Sequence, residues 1–148
     1  MAALETGMLC PEASQGSLAG ASQMDVEKQI EYWRNGAGED MAAARSLLDA
    51  GHPRQALFFA HLALEKMLKA HITKATQDIP PRTHDLLRLA EMAAIPVRGE
   101  QRQFLARLQQ HCLQGRYPDL GPPSPPREEV EQELQKAQEI LSWLQNLL

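Results

Sequence analysis

Several features that would narrow the function of a protein are scarce or missing in this sequence of 148 residues. Aromatic residues make up 5% of the chain, so its core has to be built mainly from Leu, Ala, Ile and Met, which suits helix packing better than sheets. Cys10 and Cys112 lie far apart without metal-ligand spacing, which favours a reduced intracellular compartment over a disulfide. No apolar run approaches the length of a membrane span, and the N-terminus lacks a secretory signal pattern. We therefore expect a cytoplasmic protein that makes no use of a membrane.

The charge of the chain has no strong bias either. The formal net charge of −4 at pH 7 gives no whole-protein attraction to nucleic acid or to anionic membranes. A site for phosphate would therefore have to be a local basic patch. The sequence also has no Gly-rich phosphate loop, His-Glu-x-x-His motif, paired-cysteine motif or nucleophile elbow. We expect no cofactor and no metal.

The chain divides into a tail and one domain. Residues 1–23 are rich in Ala, Gly and Ser and contain no lysine or arginine, so we expect a disordered N-terminal tail or extension. From Met24 onward apolar residues recur at helical spacing. Residues 24–148 are long enough for one domain with a sizeable core and too short for two comfortable ones.

The first two helices are predicted by apolar residues that step by three or four positions. A glycine and a proline stop the first helix shortly after residue 50. The second, from about residue 54 to 76, is apolar on so many sides that we expect it to be the central helix. We expect Pro80 and Pro81 to close it. Within it, Glu65 and Lys69 have the spacing of a surface ion pair.

Three further helices follow. The third covers about residues 84–94, and Thr83 is placed to cap its N-terminus. The fourth covers about residues 100–114. A proline-rich loop precedes the last helix, whose apolar residues repeat from 130 to 148 in the manner of a packed helix seam. Trp143 broadens this seam and offers a second contact such as a dimer interface. No segment is typical of a strand, so the pattern predicts an all-α fold, an antiparallel up-and-down helical bundle of four to five helices.

The order of short signatures along these helices resembles a known family. A first helix with Trp33 is followed by four signatures: Leu47-Leu48-Asp49-Ala50-Gly51, Ala63-Leu64-Glu65-Lys66-Met67-Leu68-Lys69, Thr83-His84-Asp85-Leu86 and Arg116-Tyr117-Pro118-Asp119. Over nearly all of residues 25–148, this order resembles the HEPN family, the higher eukaryote and prokaryote nucleotide-binding domain. The resemblance implies a helical bundle and several alternative functions.

Many members of that family are metal-independent ribonucleases. They use an arginine followed, after four to six residues, by a histidine, which moves the proton of the RNA 2′-hydroxyl while the arginine stabilises developing charge. Others lack the motif and act as helical partners of small nucleotidyltransferases in toxin–antitoxin-like pairs, or bind nucleotides. After Arg116 the positions that would need a histidine hold Gly121, Pro122 and Pro123. Arg45 and His52, and Arg54 and His61, do have this spacing. They lie at the end of the first helix and inside the second, whereas the family places its site near the late helices. The absence of the motif at the expected position favours a chain with no catalytic residues.

The resemblance groups seven residues into one candidate site for a nucleotide or phosphate. Five are candidate ligand-binding residues and two structural supports: Lys66, Lys69, His84, Arg116 and Tyr117, with Glu65 and Asp85. Residues 52–82 contain five basic and two acidic side chains, a local charge of +3, which fits a phosphate patch or equally a solvated helix face with ion pairs. His84 either approaches a phosphate or packs against the second helix. Arg116 and Tyr117 either bind a nucleotide or close the bundle end, with Arg116 paired to an acid such as Glu65.

Three functions therefore stay open. The first is a non-catalytic HEPN-like module that binds a nucleotide, or serves as a toxin–antitoxin-type partner, as a homodimer paired with a small nucleotidyltransferase. The second is a divergent metal-independent ribonuclease that cleaves RNA with His84 and Arg116. The third is a structural dimerisation bundle that pairs through its last helix. The missing arginine-to-histidine spacing favours the first.

Overall fold

The structure, a computed structural model, describes residues 25–116 and 123–148, and every regular element in these two ranges is an α-helix. The five helices are α1 (Val26–Asp49), α2 (Pro53–Thr76), α3 (Leu86–Met92), α4 (Glu100–Arg116) and α5 (Arg127–Leu147). The predicted all-α bundle is confirmed. The predicted tail over residues 1–23 lies outside the described residues. Within the described ranges, no helix combines the length and the apolar character needed to cross a membrane.

Contacts between side chains give the directions of the three long helices. Trp33 of α1 lies against Lys69 of α2, and Asp40, two turns later in α1, pairs with Lys66, one turn earlier in α2. As α1 advances, its contacts move back along α2, so these two helices are antiparallel.

The last helix lies beside α2 and runs in the same direction. His71 Nε2 is 2.7 Å from the carbonyl oxygen of Leu144, and Lys74 donates to the carbonyl oxygen of Leu148. Both contacts advance together along the two helices. Because α1 is antiparallel to α2, α5 is also antiparallel to α1, which gives the up-and-down arrangement.

α2 is the central helix, as its composition predicts, because it contacts all four other helices. Four of its five alanines are fully buried and allow close approach: Ala56, Ala60, Ala63 and Ala70. Leu57, Leu64 and Leu68 fill the space between helices, and each is at most 2% exposed. Burial of one such leucine contributes about 1.5–3 kcal/mol relative to an exposed side chain.

The end of α2 is not set by the prolines that follow it. Gln77 adopts a left-handed backbone conformation with φ of 58°, and its N–H donates to the carbonyl oxygen of Thr73 at 2.8 Å. That conformation turns the chain out of the helix and satisfies one of the last carbonyl groups. The predicted end of α2 at about residue 76 agrees with the structure. The helix is ended by Gln77, however, and not by Pro80 and Pro81 as predicted, and the buried Pro80 lies beyond the helix end.

Side chains from two helices hold the start of the short α3. Asp85, and not Thr83 as predicted, is its N-cap, since Oδ1 of Asp85 accepts from the N–H of Arg88 at 3.1 Å. The N–H of Leu86 donates to Oε1 of Gln109 in α4 at 2.8 Å. The backbone next to His84 is thus tied both to its own helix and to α4.

Candidate functional site

The structure brings three of the candidate residues together: Lys69 and His84 both contact the carboxylate of Glu65. Glu65 is 4% exposed, and its Oε1 is 2.8 Å from Nζ of Lys69, one turn later in α2. Nδ1 of His84, from the loop before α3, lies 3.0 and 3.1 Å from the two carboxylate oxygens. Nδ1 of His61 is 3.7 Å from Oε2. A carboxylate removed from water is tolerated here because nitrogen groups surround it.

The Glu65–Lys69 pair is buried, and the prediction of a surface ion pair is wrong. The side chains of Glu65 and Lys69 are 6% and 9% exposed. The physical reason is α1, whose Trp33 ring covers the ammonium with a centroid distance of 5.5 Å. This is a cation–π contact, which stabilises the charge that Glu65 already neutralises.

His84 is the exposed member of this group, with 56% of its side chain accessible. An ionised carboxylate can only accept hydrogen bonds, so Nδ1 of His84 carries the proton that is donated to Glu65. Nε2, on the other side of the ring, has no hydrogen-bond partner among the described residues. An imidazole oriented in this way can contact an anion or exchange a proton at Nε2.

Lys66 has a different partner from Lys69. Its Nζ is 2.7 Å from Oδ2 of Asp40 in α1, and the two side chains are 28% and 14% exposed. Lys66 reaches along α1 above Gly36, where an added Cβ would come within 3.1 Å of Cδ of Lys66. Because Asp40 is outside residues 52–82, the local charge of +3 counted from the sequence overstates the positive charge that is left for a ligand.

The remaining candidates are Asp85, Arg116 and Tyr117. Asp85 caps α3 and so supports the backbone beside His84. Arg116 is the last residue of α4, but its side chain and the whole of Tyr117 lie outside the described residues. Within the described ranges, no group of three or more His, Cys, Asp or Glu side chains could hold a metal ion.

Comparison with known proteins identifies the family. The family model for the HEPN domain matches residues 30–147. The chain belongs to the HEPN family. A search of curated proteins finds no match. Among solved structures, this HEPN chain is similar to TT1696 from Thermus thermophilus, with 27% sequence identity and a TM-score of 0.66 over 81% of this chain and 98% of the other.

Two residues next to the candidate site, Gly36 and Asp40, were not predicted from the sequence, and Trp33 was noted only as a mark of the first helix. They recur every three or four positions, so they lie on one face of α1. That spacing is the signal that could have grouped them. It could not have shown that this face lies against Lys66 and Lys69, because the alignment of two helices depends on the packing of the whole bundle.

Proposed function

We propose that this HEPN chain is a non-catalytic nucleotide-binding module in which His84 contacts the phosphate. The observation that supports the proposal is the buried carboxylate of Glu65, which holds Nδ1 of an exposed imidazole at 3.0 Å. Nε2 is thereby presented at the surface in a fixed orientation. A binding group that is already oriented loses less conformational freedom when its ligand arrives.

The charges around His84 are compatible with an anionic ligand. Lys69 neutralises Glu65, and Lys66 neutralises Asp40, so a phosphate would meet neither of these two carboxylates uncompensated. His84 adds a positive charge when both ring nitrogens carry protons. Arg82, two residues earlier, is exposed and adds a guanidinium, the group best suited to phosphate.

The non-catalytic part of the proposal is supported by the sequence that follows α4. The family's ribonuclease motif has four to six residues between the arginine and the histidine, and Gly121, Pro122 and Pro123 occupy the positions of that histidine relative to Arg116. None of these three side chains can transfer a proton. A module that binds a nucleotide without cleaving RNA is consistent with this loss.

Calorimetry with AMP and ATP tests the proposal. We expect His84→Ala to weaken binding by about tenfold or more, since one hydrogen bond to a charged group contributes roughly 1.5–3 kcal/mol. His52→Ala is the matched control, because His52 is exposed and precedes α2, about 20 Å along the helix from Glu65. No binding to the unmodified protein, or equal affinity in His84→Ala, would overturn the proposal. RNA cleavage in EDTA that His84→Ala abolishes would support the divergent ribonuclease instead.

We further propose that the module acts as a homodimer and as the partner of a small nucleotidyltransferase, in a pair of the toxin–antitoxin type. Membership of the HEPN family supports this role. The outer side of α5 supports a protein contact, since Leu147 is 49% exposed one turn after the half-buried Trp143. Light scattering should give a dimer, and co-expression with a nucleotidyltransferase encoded by a neighbouring gene should give a stable complex. A monomer that forms no such complex would contradict the proposal.

A further inference from the structure

Tyr32 is the most exposed aromatic residue that the structure describes, at 65%. Its ring meets that of Trp33 edge to face, with centroids 5.3 Å apart and an interplanar angle of 71°. The contact fixes one side of the Tyr32 ring against the bundle and leaves most of its surface in solvent. An exposed aromatic ring that a neighbouring ring holds in place is a suitable surface for another flat ring.

Tyr32 also lies on the side of α1 that borders the candidate site. It precedes Gly36 by four residues, so the two share a helix face, and Gly36 lies against Lys66. The Trp33 ring that Tyr32 contacts lies 5.5 Å from the ammonium of Lys69. Because residue 36 has no side chain, nothing from that position stands between the Tyr32 ring and the lysines of α2.

These contacts form a series from the Tyr32 ring to the imidazole of His84. Trp33 contacts Lys69, Lys69 pairs with Glu65, and Glu65 holds His84. A nucleotide has the matching arrangement, with a flat base at one end and a phosphate at the other.

We propose that Tyr32 is the base-binding residue of this site and that the ligand is a nucleoside phosphate. The base stacks on the exposed face of the Tyr32 ring, and the phosphate reaches Nε2 of His84. Stacking of a base on an aromatic ring is tolerant of base identity, so Tyr32 selects for the presence of a base and not for a particular one. This inference rests on the proposed nucleotide-binding function.

The test compares AMP with ribose 5-phosphate, which has the same sugar and phosphate but no base. Affinity for AMP is measured by calorimetry and that for ribose 5-phosphate by displacement of AMP. We expect Tyr32→Ala to weaken AMP binding about tenfold, the usual effect of removing one stacking ring, and to leave ribose 5-phosphate affinity unchanged. Tyr32→Phe is the matched control and should bind AMP within about twofold of the unmodified protein.

The outcomes separate this inference from the proposed function. If His84→Ala loses AMP while Tyr32→Ala binds it normally, Tyr32 does not contact the base, and the phosphate site stands. Equal losses of AMP and ribose 5-phosphate in Tyr32→Ala would also overturn the inference, because the effect would then concern the shape of the site. No binding of AMP to the unmodified protein would overturn both.

A second measurement needs no variant. A base stacked on an aromatic ring experiences the ring current, so the adenine protons of AMP should shift upfield in proton NMR spectra when the unmodified protein is added. Bound AMP whose adenine protons do not shift would contradict stacking on Tyr32.

Discussion

Replacement of Glu65 by leucine would leave the ammonium of Lys69 buried without its counter-ion. The Lys69 side chain is 9% exposed, and its Nζ has one carboxylate partner, Glu65, at 2.8 Å. Removal of one member of a buried ion pair typically costs about 3–5 kcal/mol. His84 would lose the same partner at little cost, since its side chain is 56% exposed and water can replace the bond.

This loss is large compared with the stability of a domain of this size, which is of the order of 5–15 kcal/mol. It corresponds to a decrease of roughly 10–20 °C in Tm. The double variant Glu65→Leu/Lys69→Met removes both charges and should regain most of the loss, because apolar residues of similar volume often replace buried ion pairs without penalty.

Urea denaturation followed by circular dichroism measures the free energy of unfolding of all variants. The control is the pair Arg127–Glu131, which has the same four-residue spacing and comparable N–O distance but is about half exposed on both sides. Glu131→Leu should cost less than about 1 kcal/mol. If Glu65→Leu costs no more than this control, or if the double variant is no more stable than Glu65→Leu, burial does not determine the strength of the pair and our reasoning is wrong.

Two further predictions concern stability. Gly36→Ala should stabilise the fold little, because the new Cβ would displace the Lys66 side chain. Gly38→Ala should stabilise the fold by about 1 kcal/mol, because no atom lies within 4 Å of its new Cβ. Equal stabilisation of the two variants in urea denaturation would contradict the contact between residue 36 and Lys66. Burial lowers the pKa of His71 below 6.5, an effect that Lys74 reinforces and that the bond to the Leu144 carbonyl opposes. Near this pH the unfolded chain therefore binds more protons than the folded one. The contribution of His71 to the free energy of unfolding is complete above pH 6.5 and is lost as the pH falls below it. His71→Gln should make Tm fall less steeply on acidification, and an unchanged slope would exclude His71 as the cause.

The fold could be predicted from the sequence because packed helices require apolar residues at regular spacing along the chain. The seam of α5 is the clearest example. Five of its six predicted members are buried, namely Val130, Leu134, Ala137, Leu141 and Leu144, and the sixth, Leu148, is partly buried. Each of these positions follows from the geometry of one helix, without knowledge of its neighbours. The residue that ends a helix was harder to predict than the position of the end. α2 ends near residue 76 as expected, but it ends at the left-handed Gln77, whose residue type does not mark a helix end.

The candidate site could be predicted only in part. The resemblance to the HEPN family grouped Glu65, Lys69 and His84, and the structure brings these three into contact. Spacing could not show this, because Glu65 and His84 are 19 positions apart and lie on different elements. The same limit explains why Asp40 was missed as the partner of Lys66, since the alignment of α1 with α2 depends on the complete core.

The hydrogen bond from the N–H of Leu86 to the side chain of Gln109 affects the order in which the helices fold. α3 has seven residues, too few for a helix to form by itself in water. One of its first N–H groups is satisfied by a side chain 23 positions later in the chain, which is in place only after α4 has docked. α3 should therefore form late, and its amide protons should exchange with deuterium sooner than those of α2. The loop that carries His84 would then be among the last parts of the chain to reach its native position.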